Sequence, residues 1–126
     1  MKTTISNCPF CRVNDNEILR NSLAYVRRDV NPVTPGHLLI IPVRHVASYF
    51  ETTDQERVAL LQLLTQAKGW LEENHAPSGY NIGINVGEAA GQTIPHVHVH
   101  LIPRYLGDVT NPRGGVRGVI PAKQSY

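Results

Sequence analysis

Three histidines alternate with valines in His96-Val97-His98-Val99-His100, and they are half of the six histidines in the 126-residue chain. Successive side chains of a β-strand point to opposite faces, so the spacing predicts a strand over residues 96–102 with all three imidazoles on one face. Imidazole is uncharged and nucleophilic near neutral pH. One ring nitrogen could therefore attack phosphorus and form a labile phosphorus–nitrogen bond that water then hydrolyses.

The same histidine cluster has a second chemical interpretation. Stacked imidazoles can chelate zinc, with neighbouring carboxylates completing the site. The stretch from Thr93 to Leu106 contains no Asp or Glu that could supply such a ligand or a general base. The residue pattern therefore favours covalent catalysis and leaves a catalytic metal as the open alternative.

A segment of small residues, Gly87-Glu88-Ala89-Ala90-Gly91-Gln92-Thr93, lies shortly before the histidines. Small residues let a backbone approach a phosphate closely, and backbone N–H groups with the Gln92 and Thr93 side chains could bind its non-bridging oxygens. Glycine-rich loops are mostly simple turns, but this one leads into the histidine-bearing strand. We therefore predict a phosphate-binding loop.

Both cysteines lie in one Cys8-Pro9-Phe10-Cys11 unit, so neither has a distant disulfide partner. The N-terminus lacks the apolar stretch of a signal peptide, and in that context the spacing indicates metal binding or redox chemistry. No apolar run reaches the roughly 18 residues of a membrane span. We therefore expect a cytoplasmic protein.

Composition predicts a single globular domain over residues 1–126. The hydrophobic fraction of 41% and the charged fraction of 17% are ordinary and argue against a disordered chain. The net charge of +2 is scattered along the chain, so it does not indicate a nucleic-acid or membrane partner. It is compatible with a phosphorylated small molecule.

Local patterns predict the strands that must position these residues. Residues 23–30 and the apolar run 37–43 have the pattern of strands and are joined by a short turn, so a hairpin is expected. Residues 80–86 alternate and predict a further strand before the phosphate-binding loop. The tail from Gly107 onward is rich in turn-forming residues and should lie on the surface.

One helix has clear boundaries in the sequence. Thr53 and Glu56 stand at capping-box spacing, so the helix should begin at Thr53. Apolar residues then recur at helical spacing, at Leu60, Leu64, Ala67 and Leu71. The helix should end before Pro77, which cannot continue it. This apolar stripe is expected to pack in the core.

The run His96-Val97-His98-Val99-His100-Leu101-Ile102 resembles the signature of the histidine-triad (HIT) superfamily. The similarity extends through Asn85, Gly91, Gln92 and Thr93 and back to the segment 35–42, and it spans roughly residues 8–105. The resemblance implies an α+β fold, with a five-stranded, mostly antiparallel sheet and two helices. It also implies a homodimer in which two subunits join their sheets.

The resemblance assigns roles to individual residues. The family's nucleophile is the central histidine of the triad, here His98. His100 would contact the phosphate oxygens and assist the leaving group, and His37 would lie behind the triad and tune it. The nucleotide-binding positions correspond to Asp29 for the ribose hydroxyls, Val30 and Leu39 for the purine, and Asn85, Gly91, Gln92 and Thr93 for the phosphates. No catalytic cofactor is implied.

The resemblance also gives the cysteines a function. Some branches of the family, mostly bacterial, hold a structural zinc with a Cys-x-x-Cys pair, a histidine after the second strand and the first triad histidine. These positions are Cys8, Cys11, His45 and His96. Two thiolates and two imidazoles make a closed tetrahedral set, which suits a structural ion. The alternative is a pair of reduced, empty thiols with His45 capping a loop.

Two branches of the family differ in substrate. Hint-type proteins cleave nucleoside phosphoramidates and often have an aromatic residue just before the triad, where this chain has Pro95. Pro103-Arg104-Tyr105 and Gly107-Asp108 are more similar to the dinucleoside-polyphosphate hydrolases of the fragile-histidine-triad branch. We therefore expect hydrolysis of dinucleoside polyphosphates with release of a nucleoside monophosphate. The alternatives are a purine nucleoside phosphoramidate hydrolase and a non-catalytic nucleotide-binding regulator.

The tail Pro112-Arg113-Gly114-Gly115-Val116-Arg117 matches neither branch. Its two arginines could reach a distal phosphate, since guanidinium matches phosphate geometry well. An exposed basic loop is the equally supported alternative.

Overall fold

The computed structural model describes residues 7–12 and 16–126. In this part of the chain one sheet contains five strands: β1 (Glu17–Arg20), β2 (Ala24–Arg28), β3 (Leu38–Pro42), β4 (Gly79–Ile84) and β5 (Val99–Arg104). Their order across the sheet is β1-β2-β3-β5-β4, and neighbouring strands are antiparallel. The helix α1 (Asp54–Asn74) packs on one face of the sheet. The predicted α+β fold is confirmed.

The central hairpin forms as predicted. β2 and β3 pair antiparallel, with Tyr25 opposite Ile41. All five residues of β3 are buried, because α1 covers one face of the strand and the Cys8–Cys11 segment covers the other. Burial on both faces explains why this strand is a continuous apolar run and does not alternate.

The strand predicted over residues 96–102 begins three residues later than expected. The N–H of Val97 donates to the carbonyl of Val46, in the loop after β3, so this segment is not paired within the sheet. Regular pairing begins at Val99, which lies opposite Ile40. The expected separation of faces survives, since Val99 packs in the core under α1 while His100 lies opposite Leu39 on the other face.

Helix α1 has the boundaries that the sequence predicts. The Thr53 side chain accepts the backbone N–H of Glu56, and the Glu56 carboxylate accepts the N–H of Thr53, which is a complete capping box. The helix ends at Asn74, with His75 as its C-cap. Its buried apolar residues pack against the sheet at Ala59, Leu60, Leu63, Ala67 and Leu71.

The resemblance implies two helices, and the structure corrects this expectation. Within residues 7–12 and 16–126 the structure has one α-helix, and short 3-10 segments occupy the remaining helical turns. The tail contains such segments at Gly115–Val119 and Pro121–Lys123. Glycines at positive φ, Gly107, Gly114 and Gly115, interrupt it, and Pro121 cannot continue a preceding helix.

The tail is mostly exposed, as predicted, but it is folded back along the sheet. Its segment Gly115–Val119 contacts β4, which is the edge strand. Gly114 has φ +88°, and a Cβ at that position would collide with the backbone carbonyl of Gln124. The turn that returns the tail to the sheet therefore requires glycine. Among the described helices, none combines the length and the apolar character that crossing a membrane requires.

Candidate active site

A cleft of about 370 Å³ opens on the sheet face opposite α1. The sequence-predicted residues that line it are Asp29, Val30, Leu39, Asn85, Gly91, Gln92, Thr93, His98 and His100. The sheet and the loop before β5 thus bring together residues that are up to 71 positions apart in the chain. His37 lies behind His100 and lines an adjoining cleft. We refer to the first cleft as the nucleotide cleft, after the ligand that the sequence predicts for it.

The sequence did not indicate several further residues that line the nucleotide cleft. They are Pro9, Phe10, Arg27, Asn31 and Ile94. The Phe10 ring stands edge-on to His98, with centroids 4.8 Å apart, and the Arg27 guanidinium lies 5.4 Å from the Phe10 centroid. The sequence does contain a signal that places Phe10 near the histidines. Phe10 lies between two cysteines that a shared metal would draw towards His96.

His98 is held in the tautomer that a nucleophile needs. Its Nδ1 lies 3.0 Å from the backbone carbonyl oxygen of His96. A carbonyl oxygen can only accept a hydrogen bond, so Nδ1 carries the hydrogen and Nε2 keeps its lone pair. Burial lowers the pKa of His98 below the ordinary value of 6.5 and keeps the ring neutral at neutral pH.

His100 is held in the opposite tautomer by a chain of hydrogen bonds. The backbone N–H of Val33 donates to Nδ1 of His37 at 3.2 Å, so the hydrogen of His37 is on Nε2. That Nε2–H lies 2.9 Å from Nδ1 of His100, which must accept it. The hydrogen of His100 is therefore on Nε2. His98 thus offers a lone pair where His100 offers a hydrogen.

The electrostatics keep this chain of hydrogen bonds neutral. Burial, together with the nearby His98 and His37, lowers the pKa of His100 to about 4. Burial also lowers the pKa of His37, and this effect outweighs the attraction of Asp29, whose Oδ2 lies 3.4 Å from Nε2 of His37. The Asp29–His37 contact is therefore not an ion pair at neutral pH, and the single Nε2 hydrogen of His37 is donated to His100.

Gln92 shapes the loop before the histidines with every polar atom of its side chain. Oε1 accepts the N–H of Gly87 at 2.9 Å, and Nε2 donates to the carbonyls of Ala47 at 2.7 Å and Ile94 at 3.1 Å. Gly87 and Gly91 have φ near +90°, which side-chain-bearing residues rarely adopt. The Gln92 amide therefore fixes the loop and ties it to the segment after β3.

A second cluster lies beside the nucleotide cleft and contains Cys8, Cys11, His45 and His96, with ligand atoms within 4.8 Å of one another. Sulfur–nitrogen distances are 3.2–3.5 Å. A tetrahedral zinc ion holds sulfur and nitrogen ligands about 3.5 Å apart. His96 Nε2 donates to the Pro42 carbonyl at 2.7 Å, so Nδ1 directs its lone pair at the sulfurs. The donor set fits a closed zinc site.

A third arrangement bears on the catalytic-metal alternative. Ligand atoms of Asp29, His37 and His100 also lie within 4.8 Å of one another. His98 is not a member of this group. An ion there would displace the Nε2 hydrogen of His37, so it would compete with the hydrogen bond to His100.

The tail arginines lie away from the nucleotide cleft. The guanidinium groups of Arg113 and Arg117 are 4.9 and 5.0 Å from the ring centroid of Tyr126. Neither arginine lines the nucleotide cleft. The structure thus presents them as a basic cluster around an exposed aromatic ring.

Comparison with known proteins gives consistent results. The model of the HIT domain family matches residues 12–107. Over 92 residues the chain is 35% identical to AP-4-A phosphorylase of Mycobacterium tuberculosis. This match covers 72% of this chain and 47% of that protein. Over 96 residues it is 38% identical to the asymmetrical bis(5'-nucleosyl)-tetraphosphatase of Schizosaccharomyces pombe. This match covers 76% of this chain and 53% of that protein. The chain spans about half the length of these curated relatives.

The fold is also found in a solved structure. The crystal structure of a Zn-bound histidine triad family protein from Mycobacterium smegmatis matches with a TM-score of 0.74 and 29% identity. The match covers 83% of this chain and 80% of that chain. Sheet order, histidine spacing and family match agree, and the chain belongs to the HIT domain family.

Proposed function

We propose that the chain is a nucleotide hydrolase and nucleotidyl transferase that acts at the α-phosphorus through a covalent nucleotidyl-His98 intermediate. The observation that carries this proposal is the pairing of tautomers in the nucleotide cleft. His98 has a lone pair on Nε2, while His100, with its ring centroid 4.9 Å away, has a hydrogen on Nε2. A nucleophile and a hydrogen-bond donor for the leaving oxygen therefore lie side by side.

In the first step, Nε2 of His98 attacks the α-phosphorus, and a phosphorus–nitrogen bond forms. The bond from phosphorus to the bridging oxygen breaks, and its electron pair leaves with that oxygen, whose negative charge is stabilised by the hydrogen bond that Nε2 of His100 donates. In the second step, water attacks phosphorus and releases a proton to solvent. The phosphorus–nitrogen electron pair returns to His98, and a nucleoside monophosphate leaves.

Dinucleoside polyphosphates are the proposed substrates. The names of the two relatives, a phosphorylase of AP-4-A and a bis(5'-nucleosyl)-tetraphosphatase, support this class. The nucleotide cleft offers Asp29 to the ribose, an apolar wall of Val30, Leu39 and Phe10 to the purine, and the loop 87–93 to the phosphates.

We also propose that Cys8, Cys11, His45 and His96 hold a structural zinc ion. The relative from Mycobacterium smegmatis is described as Zn-bound, and the donor set here has the distances that zinc requires. When bound, the ion supplies a cross-link between the N-terminal turn and the segment that precedes β5. His96 is fully buried, which supports a structural role for this cluster.

A homodimer is part of the same proposal. β4 is an edge strand of the sheet, and an edge strand can pair with a second copy of itself. Light scattering at several protein concentrations tests this expectation.

Trapping the intermediate tests the reaction. Acid-quenched protein mixed with substrate labelled in the α-phosphate should carry the label, and His98→Asn should not. His98→Asn should also lose at least about a thousandfold in kcat while it still binds nucleotide. Turnover at near wild-type rate in this variant would refute the mechanism.

Parallel assays on two substrates test the substrate class. A diadenosine polyphosphate should be cleaved with higher kcat/KM than an adenosine phosphoramidate. A large preference for the phosphoramidate would overturn the substrate assignment and keep the mechanism. Tight nucleotide binding with negligible turnover on both would instead identify a non-catalytic regulator.

A further inference from the structure

A second cleft, of about 420 Å³, adjoins the nucleotide cleft. It lies between β4 and the tail segment Gly115–Val119, which forms one of its walls. His100 and Asn85 line both clefts, so the two clefts are continuous at the hydrogen-bond donor for the leaving oxygen. His98 lines the nucleotide cleft alone.

The lining of the second cleft is uncharged. Within residues 7–12 and 16–126 it includes no Lys, Arg, Asp or Glu, and its two histidines are kept neutral by burial. Its aliphatic side chains are left open to solvent, with Val116 and Val119 exposed by 58% and 77%. Val33, on the same cleft, is exposed by 67%. Exposed aliphatic residues gathered around one cleft indicate a binding surface.

The direction of the proposed displacement identifies what would enter this cleft. Attacking and leaving atoms lie roughly in line on opposite sides of phosphorus. The leaving half therefore departs on the side away from His98, past the residue that donates a hydrogen bond to it. That residue is His100, and the space beyond it is the second cleft.

We propose that the second cleft is the leaving-group subsite, that it takes a neutral, apolar ring group, and that Val116 and Val119 determine this specificity. The subsite rests on the proposed function, since it needs a leaving half that passes His100. In a dinucleoside polyphosphate the matching group is the base of the second nucleoside. A bare phosphate end would lose hydration against aliphatic side chains without gaining a cation. The subsite therefore selects substrates with a nucleoside at both ends.

Two probes of equal charge test the subsite. One is diadenosine tetraphosphate, and the other is adenosine 5'-tetraphosphate with a methyl ester on its terminal phosphate, which lacks the second nucleoside. Wild-type protein should have about tenfold higher kcat/KM for the dinucleotide, because the second base buries apolar surface. Val119→Asp should remove most of that advantage, because kcat/KM should fall further for the dinucleotide than for the methyl ester.

Ile120→Asp is the matched control. Ile120 directly follows the segment Gly115–Val119 and is also exposed, but it does not line the cleft. It should leave kcat/KM unchanged for both probes. Thermal melting of both variants checks that the tail substitutions leave the fold intact. Equal kcat/KM for the two probes in wild type would overturn the subsite, as would an equal loss on both in Val119→Asp.

Binding measurements separate failure of the subsite from failure of the proposed function. In His98→Asn, the Kd for the methyl ester should be about tenfold weaker than that for the dinucleotide, and adding Val119→Asp should abolish the difference. This ratio tests the subsite even if wild type hydrolyses neither probe, a result that would refute the proposed function. Val119→Asp could instead leave the ratio of the two Kd values unchanged and disrupt the dimer. That result would assign the exposed aliphatic residues of the second cleft to contact with a second copy of the chain, and it would overturn the subsite.

Discussion

His98 donates the hydrogen of its Nδ1 to the backbone carbonyl oxygen of His96, and the two atoms lie 3.0 Å apart. The His96 imidazole points elsewhere, with Nδ1 towards Cys8 and Cys11 and Nε2 towards the carbonyl of Pro42. One residue thus orients the proposed nucleophile through its backbone and joins the proposed metal set through its side chain. His96 therefore connects the proposed metal set to the proposed nucleophile.

His37→Leu should slow turnover without weakening nucleotide binding. Leucine cannot donate to Nδ1 of His100, so His100 loses the bond that keeps its hydrogen on Nε2. We expect kcat to fall about 10- to 100-fold while the Kd for a nucleoside monophosphate changes less than about twofold. Steady-state kinetics and calorimetry measure the two quantities.

His37→Gln is the matched variant, because an amide N–H can replace the lost donor. It should recover part of kcat relative to His37→Leu. Equal kcat in the two variants would show that His37 does not act through the hydrogen on His100.

Removing the proposed zinc ion should lower both thermal stability and nucleotide affinity. Cys8 and Cys11 flank Phe10, whose ring forms part of the nucleotide cleft and stands edge-on to His98. Without an ion, the turn that carries Phe10 loses its link to His96. We expect a lower Tm and a roughly tenfold weaker Kd after chelation, measured by thermal melting and calorimetry.

Phe10→Leu separates the two effects of the metal. It should weaken nucleotide binding while zinc content, measured by atomic absorption, stays the same. Nucleotide binding of equal strength with and without metal would contradict the connection. Loss of turnover after chelation with no change in Tm would point instead to a catalytic ion at Asp29, His37 and His100.

Local patterns were sufficient to predict the helix and the central hairpin. The capping box at Thr53 and Glu56 is a local hydrogen-bond arrangement, so spacing alone reveals it. The run 37–43 is apolar because both faces of β3 are covered. β1 was not found, because it has four partly exposed residues and an irregular register beside Glu17. Such a short edge strand has no clear alternation.

The histidine spacing predicted the cluster but not the path of its backbone. Val97 bonds to Val46 in a distant loop, and no local pattern encodes that contact, so the strand begins late. The tautomers of His98 and His100 depend on the His96 carbonyl and on the Val33 N–H, which are backbone groups and leave no trace in residue identity. Phe10 reaches the site only through tertiary packing.

Acidification should destabilise the folded protein between pH 6.5 and about 4. Burial with His98 and His37 nearby lowers the pKa of His100 to about 4 from 6.5, so the unfolded chain binds a proton first as the pH falls. The stabilisation is therefore complete above pH 6.5 and is lost as the pH approaches 4. Urea unfolding gives the free energy of unfolding of wild type and His100→Asn over this range. This free energy should depend less steeply on pH in the variant.

His75→Asn is the control for this pH dependence. His75 is an exposed residue at the C-cap of α1, where asparagine is well tolerated. Its free energy of unfolding should change with pH in parallel with that of wild type. A parallel curve for His100→Asn as well would show that His100 does not contribute to the acid sensitivity.

Glu56 connects the start of α1 to the proposed metal set. Its buried carboxylate accepts from Nε and Nη2 of Arg44, at 3.0 and 2.8 Å, and from the N–H of Thr53 at 2.8 Å. Arg44 directly precedes His45. Glu56→Ala leaves both donors without this partner, but Arg44 is 39% exposed and can be hydrated, so the free energy of unfolding should fall by about 2 kcal/mol, measured by urea denaturation.

Thr53→Ala distinguishes the cap from the link to Arg44. It removes the side-chain cap of α1 and should cost about 1 kcal/mol, while the bonds from Arg44 to Glu56 remain. If Arg44 positions His45, Glu56→Ala should also weaken zinc binding in a competition with a chromogenic chelator, and Thr53→Ala should not. Because the Arg44 hydrogen bonds lower the pKa of Glu56, the stability that Glu56 contributes is present above pH 4.5 and is lost below it. Equal zinc affinity in both variants would limit Glu56 to supporting the helix.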